Sequence, residues 1–145
     1  MEYAIAVFDV GKTNKKLIIY DDKLNPLDSS YRNFTPYEAE GGRFEPVEEM
    51  EEWLLNGLIY AANKYPIICI SVTTHGAGSV CVGGDGKPSI PPIDYTYEPG
   101  EEFHKEFYEL AGDKHDLQRE TATLELKSLI NPAKAIYYLK KTFPE

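Results

Sequence analysis

Two apolar, β-prone runs, Ala4–Val10 (AIAVFDV) and residues 16–21 (KLIIYD), are separated only by residues 11–15. Val, Ile, Phe and Tyr suit a pleated, half-buried surface, so each run reads as a strand. A parallel pair needs a crossover of about a dozen residues or more, and this linker is far shorter. The two strands must therefore form an antiparallel hairpin. Any parallel pairing has to be added to that hairpin, which excludes a purely parallel doubly wound sheet.

The rest of the chain supplies the additions. Asn25-Pro26 makes a turn, and a weaker third strand is predicted over residues 27–34. Val47, Met50, Leu54, Leu58, Ala61 and Tyr65 recur three or four residues apart, which predicts a helix over residues 45–65. Pro46 suits its first turn, and the glutamates at 45, 48, 49, 51 and 52 complement the helix dipole. That acidic cluster reads as a solvated helix start and is given no binding role. Pro66 ends the helix, and residues 67–74 (IICISVTT) read as a central buried strand. Residues 79–82 and the glycine-rich loop at 83–88 predict a second hairpin, followed by a proline-rich extended segment to residue 100. Further helices are expected over residues 101–111 and from an Asn131-Pro132 start to about residue 141. The last would bury Ala133, Ile136, Tyr137 and Leu139. This order predicts an α/β fold with a mixed sheet.

Charge narrows the partners. Asp plus Glu number 24 against 15 Lys plus Arg, a formal net charge of −9. Binding nucleic acid through phosphate neutralisation needs the opposite balance, so no nucleic acid partner is expected. No apolar run approaches the roughly 20 residues of a membrane-spanning helix, and the N-terminus lacks signal-peptide character. Cys69 and Cys81 lie in apolar segments and are expected to be buried free thiols. A cytoplasmic protein with no membrane partner is expected.

The connection Asp9-Val10-Gly11-Lys12-Thr13-Asn14-Lys15-Lys16 carries the chemistry. Gly11-Lys12-Thr13 has the ending of a P-loop, but that motif needs a glycine where Ala6 stands and a helix where a strand comes next. A different mechanism fits: a carboxylate at a strand end, then a tight turn presenting backbone N–H groups to phosphate. Lys12, Lys15 and Lys16 add positive charge, and Asp9 can hold Mg²⁺ through water. Taken alone, the stretch reads equally as an ordinary solvent-exposed hairpin, and the order of the motifs downstream of it decides.

Asp-x-Gly-x-Thr-Asn-x-Lys between two strands resembles the first phosphate motif of the actin-like ATPase superfamily. Its form is closest to that of FGGY carbohydrate kinases of the fuculokinase and rhamnulokinase branch. His75-Gly76-Ala77-Gly78, at a strand end, resembles the place where that family meets its sugar. Gly84-Asp85-Gly86, then Pro91-Pro92-Ile93-Asp94-Tyr95, and the helix from Pro132 continue the correspondence in order. Gly78 stands where that branch has an aspartate, and His75 where it usually has an aromatic. Imidazole donates and accepts hydrogen bonds, so His75 can replace part of the lost sugar grip or simply bond to backbone. Tyr95 and Tyr97 are candidates for a stacking wall, while His104 and His115 read as surface residues.

The resemblance implies a ribonuclease H-like, actin-like ATPase fold and ATP-dependent phosphorylation of a sugar hydroxyl, on a ketose or deoxyketose. It implies ATP and Mg²⁺ as cofactors. Asp9, Gly11, Lys12, Thr13, Asn14 and Lys16 would face the nucleotide phosphates, with Asp9 at the metal. His75, Gly76, Ala77, Gly78, Asp94 and Tyr95 would line the sugar. No catalytic residue is assigned, because the family's general base and adenosine pocket are expected beyond this chain. Residues 1–145 thus read as a truncated N-terminal domain, inactive alone and prone to self-association through an exposed half-cleft near its C-terminal helix. Two alternatives stand beside this reading: a non-catalytic sugar- or partner-binding module, and another actin-like phosphotransferase such as an acetate kinase or exopolyphosphatase relative.

Overall fold

The computed structural model describes residues 1–144. Their elements run β1 (Ala4–Val10), β2 (Asn14–Asp21), β3 (Pro26–Asn33), β4 (Tyr37–Ala39), β5 (Gly42–Phe44), α1 (Val47–Lys64), β6 (Ile67–Thr74), α2 (Glu101–Ala111), α3 (Lys114–Thr121) and α4 (Pro132–Thr142). The chain divides into two compact units, one of residues 1–35 and 46–76, the other of residues 36–45 and 77 onward.

The first unit is a four-stranded sheet in the order β3-β2-β1-β6. β1 pairs antiparallel with β2, β2 antiparallel with β3, and β6 parallel with β1. The period of two sets the core: Ala4, Ala6, Phe8, Leu17 and Ile19 are buried on one face together with Ala61 of α1. Trp53, Leu54 and Leu58 of α1 pack around them. Gly57 allows close approach, since a Cβ there would stand 2.8 Å from Leu17 Cδ2. α1 starts two residues later than the sequence predicts, with Pro46 at the N-cap position rather than in the first turn, and Glu48 and Glu49 in that turn as expected.

The expectation for β6 is overturned. It is an edge strand, and Ile68, Ile70 and Val72 are 67%, 51% and 63% exposed. Ile70 and Val72 align with Ala6 and Phe8, on the face that α1 covers at β1, yet they remain outside the core. An apolar run reports that a strand is suited to burial; its place in the sheet depends on which other strands pair with it. Cys69, on this strand, and Cys81 are likewise exposed free thiols rather than buried ones.

The second unit is built on the β4–β5 hairpin and three helices. Its core is Phe44, Ile93, Phe103, Phe107, Leu129, Ala135 and Leu139. Residues 92–94 run along β5: Asp94 N donates to Arg43 O at 2.8 Å and Glu45 N to Pro92 O at 2.8 Å. The second expected hairpin reduces to a single bridge between Val82 and Pro88. α4 starts as predicted, Asn131 Oδ1 accepting from Ala133 N at 2.9 Å with Pro132 in the first turn.

The buried face of α4 is not the expected one. Lys134, Ala135 and Leu139 are buried, whereas Ile136 is 60% exposed and Ala133 is also outside. A lysine buries its stem readily when its ammonium is satisfied. Lys134 Nζ donates to Leu126 O at 2.6 Å and lies 4.8 Å from the Tyr108 ring centroid. His104, expected at the surface, is also buried, its Nδ1 3.5 Å from Lys134 Nζ.

Burial, and next the Lys134 charge, push the His104 imidazole below its ordinary value, against opposing effects of the Lys127 backbone, Glu101 and Glu125. Folded His104 thus stays neutral at a pH where the unfolded chain, titrating near about 6.5, already takes a proton. Stability should fall as pH drops from about 6.5 towards the lowered folded value, with no His104 contribution above that range. Urea midpoints of wild type and His104→Gln at pH 7.5 and 5.5 check this. The loss on acidification should be smaller in the variant, and equal losses would refute it.

Candidate functional site

β1 and β2 meet at a turn closed by Gly11 N donating to Asn14 O at 3.1 Å. A Cβ at Gly11 would come within 3.0 Å of that same carbonyl oxygen, so the turn has little room for a side chain. The ladder places Asp9 opposite Lys16, and their side chains form an ion pair, Nζ to Oδ2 3.2 Å. Both are about a third exposed (38% and 35%), so the pair contributes at most about 1 kcal/mol to stability. Its interest is chemical: a carboxylate and an ammonium stand side by side where the strand ends. Thr13 and Asn14 are exposed at the tip.

Lys15, expected with Lys12 and Lys16 to add positive charge at the turn, is buried. It shares the face of β2 that carries Leu17 and Ile19, is 2% exposed, and donates from Nζ to Lys12 O at 2.9 Å.

Parallel pairing brings a second segment to the same end of the sheet. Val10 is in register with Thr74, whose Oγ1 donates to Val10 O at 3.0 Å. His75 and Gly76 therefore follow β6 at the sheet end where the hairpin turns, and His75 is half-buried. Carboxyl ends of parallel strands are the usual place for ligands on open α/β sheets.

Ala77, Gly78, Asp94 and Tyr95 belong to the second unit. Asp94 is 1% exposed. Its Oδ2 accepts from Arg43 Nε at 2.8 Å, and its Oδ1 accepts from Thr96 N at 2.9 Å and Thr96 Oγ1 at 2.8 Å. Arg43 Nη2 donates to Thr96 Oγ1 at 2.8 Å, closing the cluster. In this arrangement Asp94 holds the segment after Ile93 against β5. Tyr95 is half-buried, while Tyr97 packs against Tyr138 with ring centroids 5.8 Å apart. Sequence reasoning misses Arg43 and Thr96. Nothing local marks Arg43, whose partner Asp94 lies 51 positions away.

Among the described residues no group of three or more His, Cys, Asp or Glu gathers as for a metal ion. No helix among the described residues is long and apolar enough to cross a membrane.

No family model matches the sequence, and no curated protein matches it. Solved structures do. A carbohydrate kinase from Novosphingobium aromaticivorans is 28% identical, with a TM-score of 0.83 over 98% of this chain and 29% of that one. Xylulose kinase from Lactobacillus acidophilus, solved with a bound ligand, is 16% identical with a TM-score of 0.74 over 98% of this chain and 30% of its own. Glycerol kinase from Plasmodium falciparum, solved with ADP, is 22% identical with a TM-score of 0.70, covering 97% of this chain and 29% of that one. The chain therefore spans less than a third of the length of the kinases it matches. From the mixed sheet, its connections and these likenesses, the chain has the ribonuclease H-like, actin-like ATPase fold in the form found in carbohydrate kinases.

Proposed function

We propose that this chain supplies the nucleotide-phosphate hairpin and part of the sugar side of an ATP-dependent carbohydrate kinase. The observation that carries the reading is the hairpin: Asp9 and Lys16 paired at the mouth of a glycine turn, in a chain of which 98% matches the fold of part of a carbohydrate kinase. Lys12, Thr13 and Asn14 offer donors to phosphate oxygens, Gly11, whose N–H bonds to Asn14 O, lets the turn close, and Lys16 adds charge. Asp9 would hold Mg²⁺, which when bound neutralises phosphate charge.

His75, Gly76, Ala77 and Gly78 would meet the sugar, in the manner of the fuculokinase and rhamnulokinase branch, with Tyr95 as a further contact. Asp94 would act from below, by fixing the backbone that carries Tyr95. Phosphoryl transfer needs groups placed on both sides of the reacting phosphate. None of the residues assigned here is a general base, so this chain alone should release no ADP in response to sugar.

The test is a titration of ¹⁵N-labelled chain with ATP, with and without Mg²⁺. Amides of residues 9–16 should shift saturably, and Mg²⁺ should tighten binding. Asp9→Asn should abolish the Mg²⁺ effect and weaken Mg²⁺-ATP binding about tenfold, equivalent to about 1.4 kcal/mol. Lys16→Ala should cost less, because lysine is a flexible point charge with Lys12 close in sequence. Unperturbed hairpin amides at saturating ATP would refute the reading.

A further inference from the structure

We infer that Lys15, a buried residue outside the exposed phosphate-facing set, is a positioning residue that aims the Thr13 N–H at the bound phosphate. The inference rests on the phosphate reading of the hairpin and deepens it. Three observations carry it. Lys15 is 2% exposed, on the core side of β2. Its ammonium donates to the carbonyl of Lys12, 2.9 Å away, inside the turn. Thr13, the next residue, is exposed at the tip.

The peptide linking Lys12 to Thr13 is planar and trans, so its C=O and N–H point in opposite directions. A cation that draws the Lys12 carbonyl inward necessarily turns the Thr13 N–H outward. The same contact removes a hazard, because a carbonyl oxygen facing the tip would repel phosphate. It also polarises the peptide: a carbonyl that accepts from an ammonium makes its N–H a stronger donor. Burial amplifies the effect, since a charge in a low-dielectric setting is poorly screened. An exposed lysine such as Lys16 could bind phosphate directly but could not lock the peptide in this sense. The ligand class is a polyphosphate, recognised through backbone N–H groups with the cation one bond network behind them.

The experiment uses ¹⁵N-labelled chain, Mg²⁺ and inorganic tripolyphosphate as the probe, with Lys15→Met, Lys15→Arg and Lys12→Met. Methionine keeps the buried stem and removes the charge. In wild type, Thr13 should show the largest amide shift on titration. In Lys15→Met, resonances outside the hairpin should be unchanged, the free Thr13 ¹⁵N signal should move, and the dissociation constant should rise at least tenfold. Lys15→Arg should recover part of the loss, whereas Lys12→Met should weaken binding only a few-fold and leave Thr13 the most perturbed amide. A Lys15→Met chain that binds within twofold of wild type, or keeps the wild-type Thr13 signal, overturns the inference and leaves the phosphate reading standing. Should Lys15→Met fail to fold, Lys15→Gln decides by the same two readouts, a moved Thr13 signal with at least tenfold weaker binding counting for the inference and a wild-type signal and affinity counting against it. A wild-type chain whose hairpin ignores tripolyphosphate overturns both.

Discussion

Phe44→Ala should cost the second unit about 3–5 kcal/mol, the usual loss for deleting a buried aromatic ring. Phe44 is 1% exposed, with ring centroids of Tyr37 and Phe143 at 5.9 and 6.2 Å. It bridges to Ile93 and sits in a core with Leu129 and Leu139. The cavity would be lined by residues from β4, α4 and the loops, and such a mixed wall collapses poorly onto a missing ring. Phe44→Leu, which refills much of the space, should cost far less. Urea unfolding followed by far-UV circular dichroism checks the loss. Fluorescence of Trp53, the chain's single tryptophan, separately reports the first unit. A circular dichroism midpoint equal to that of wild type would refute the assignment of Phe44 as the centre of this core.

Arg43→Ala should be nearly as damaging, about 3 kcal/mol, at the low end for breaking a buried ion pair. The low end applies because Arg43 is itself 34% exposed, while the Asp94 side chain is 2% exposed. Removing the guanidinium leaves Asp94 charged and buried, with the Thr96 bonds to its carboxylate still in place. Asp94→Asn in the Arg43→Ala background should restore part of the loss, because an amide needs no counter-charge. The double variant should therefore be more stable than the sum of the two single losses. Strict additivity in the urea midpoints would show that the pair is not coupled. The same variants separate two roles for Asp94. If it acts by fixing the segment that bears Tyr95, binding of a sugar should follow stability across the set rather than the presence of the carboxylate.

The first unit is largely legible in the sequence because its signals are local. A short linker forces the β1–β2 hairpin, and a three-to-four-residue period marks α1 over most of its observed length. The glycine turn between β1 and β2 can be read for the same reason, its residues being consecutive. The features that escape depend on contacts distant in sequence. β6 looks buried by composition and is an edge, since strand order is not written in the strand itself. Lys15 and Lys134 look like surface charges, but each buries its stem and satisfies its ammonium on a backbone carbonyl. His104 escapes with them, because its neighbour is Lys134, 30 positions away. β4 and β5 are three residues each, too short for any period to show. α3 has no buried residue and hence no apolar stripe, though its Asp113 cap is there to be read.

The chain leaves the first unit after residue 35, returns at 46 and leaves again after 76. Neither unit is consequently a cassette that one cut can release. A piece ending at Gly76 would carry Arg43 and Phe44 away from Asp94, Ile93 and Leu139, the rest of the unit to which they belong. A piece starting at Ala77 would lack the strand on which its core closes. Recombining this protein with a relative would need matched exchange at three junctions, or transfer of both units together as one part.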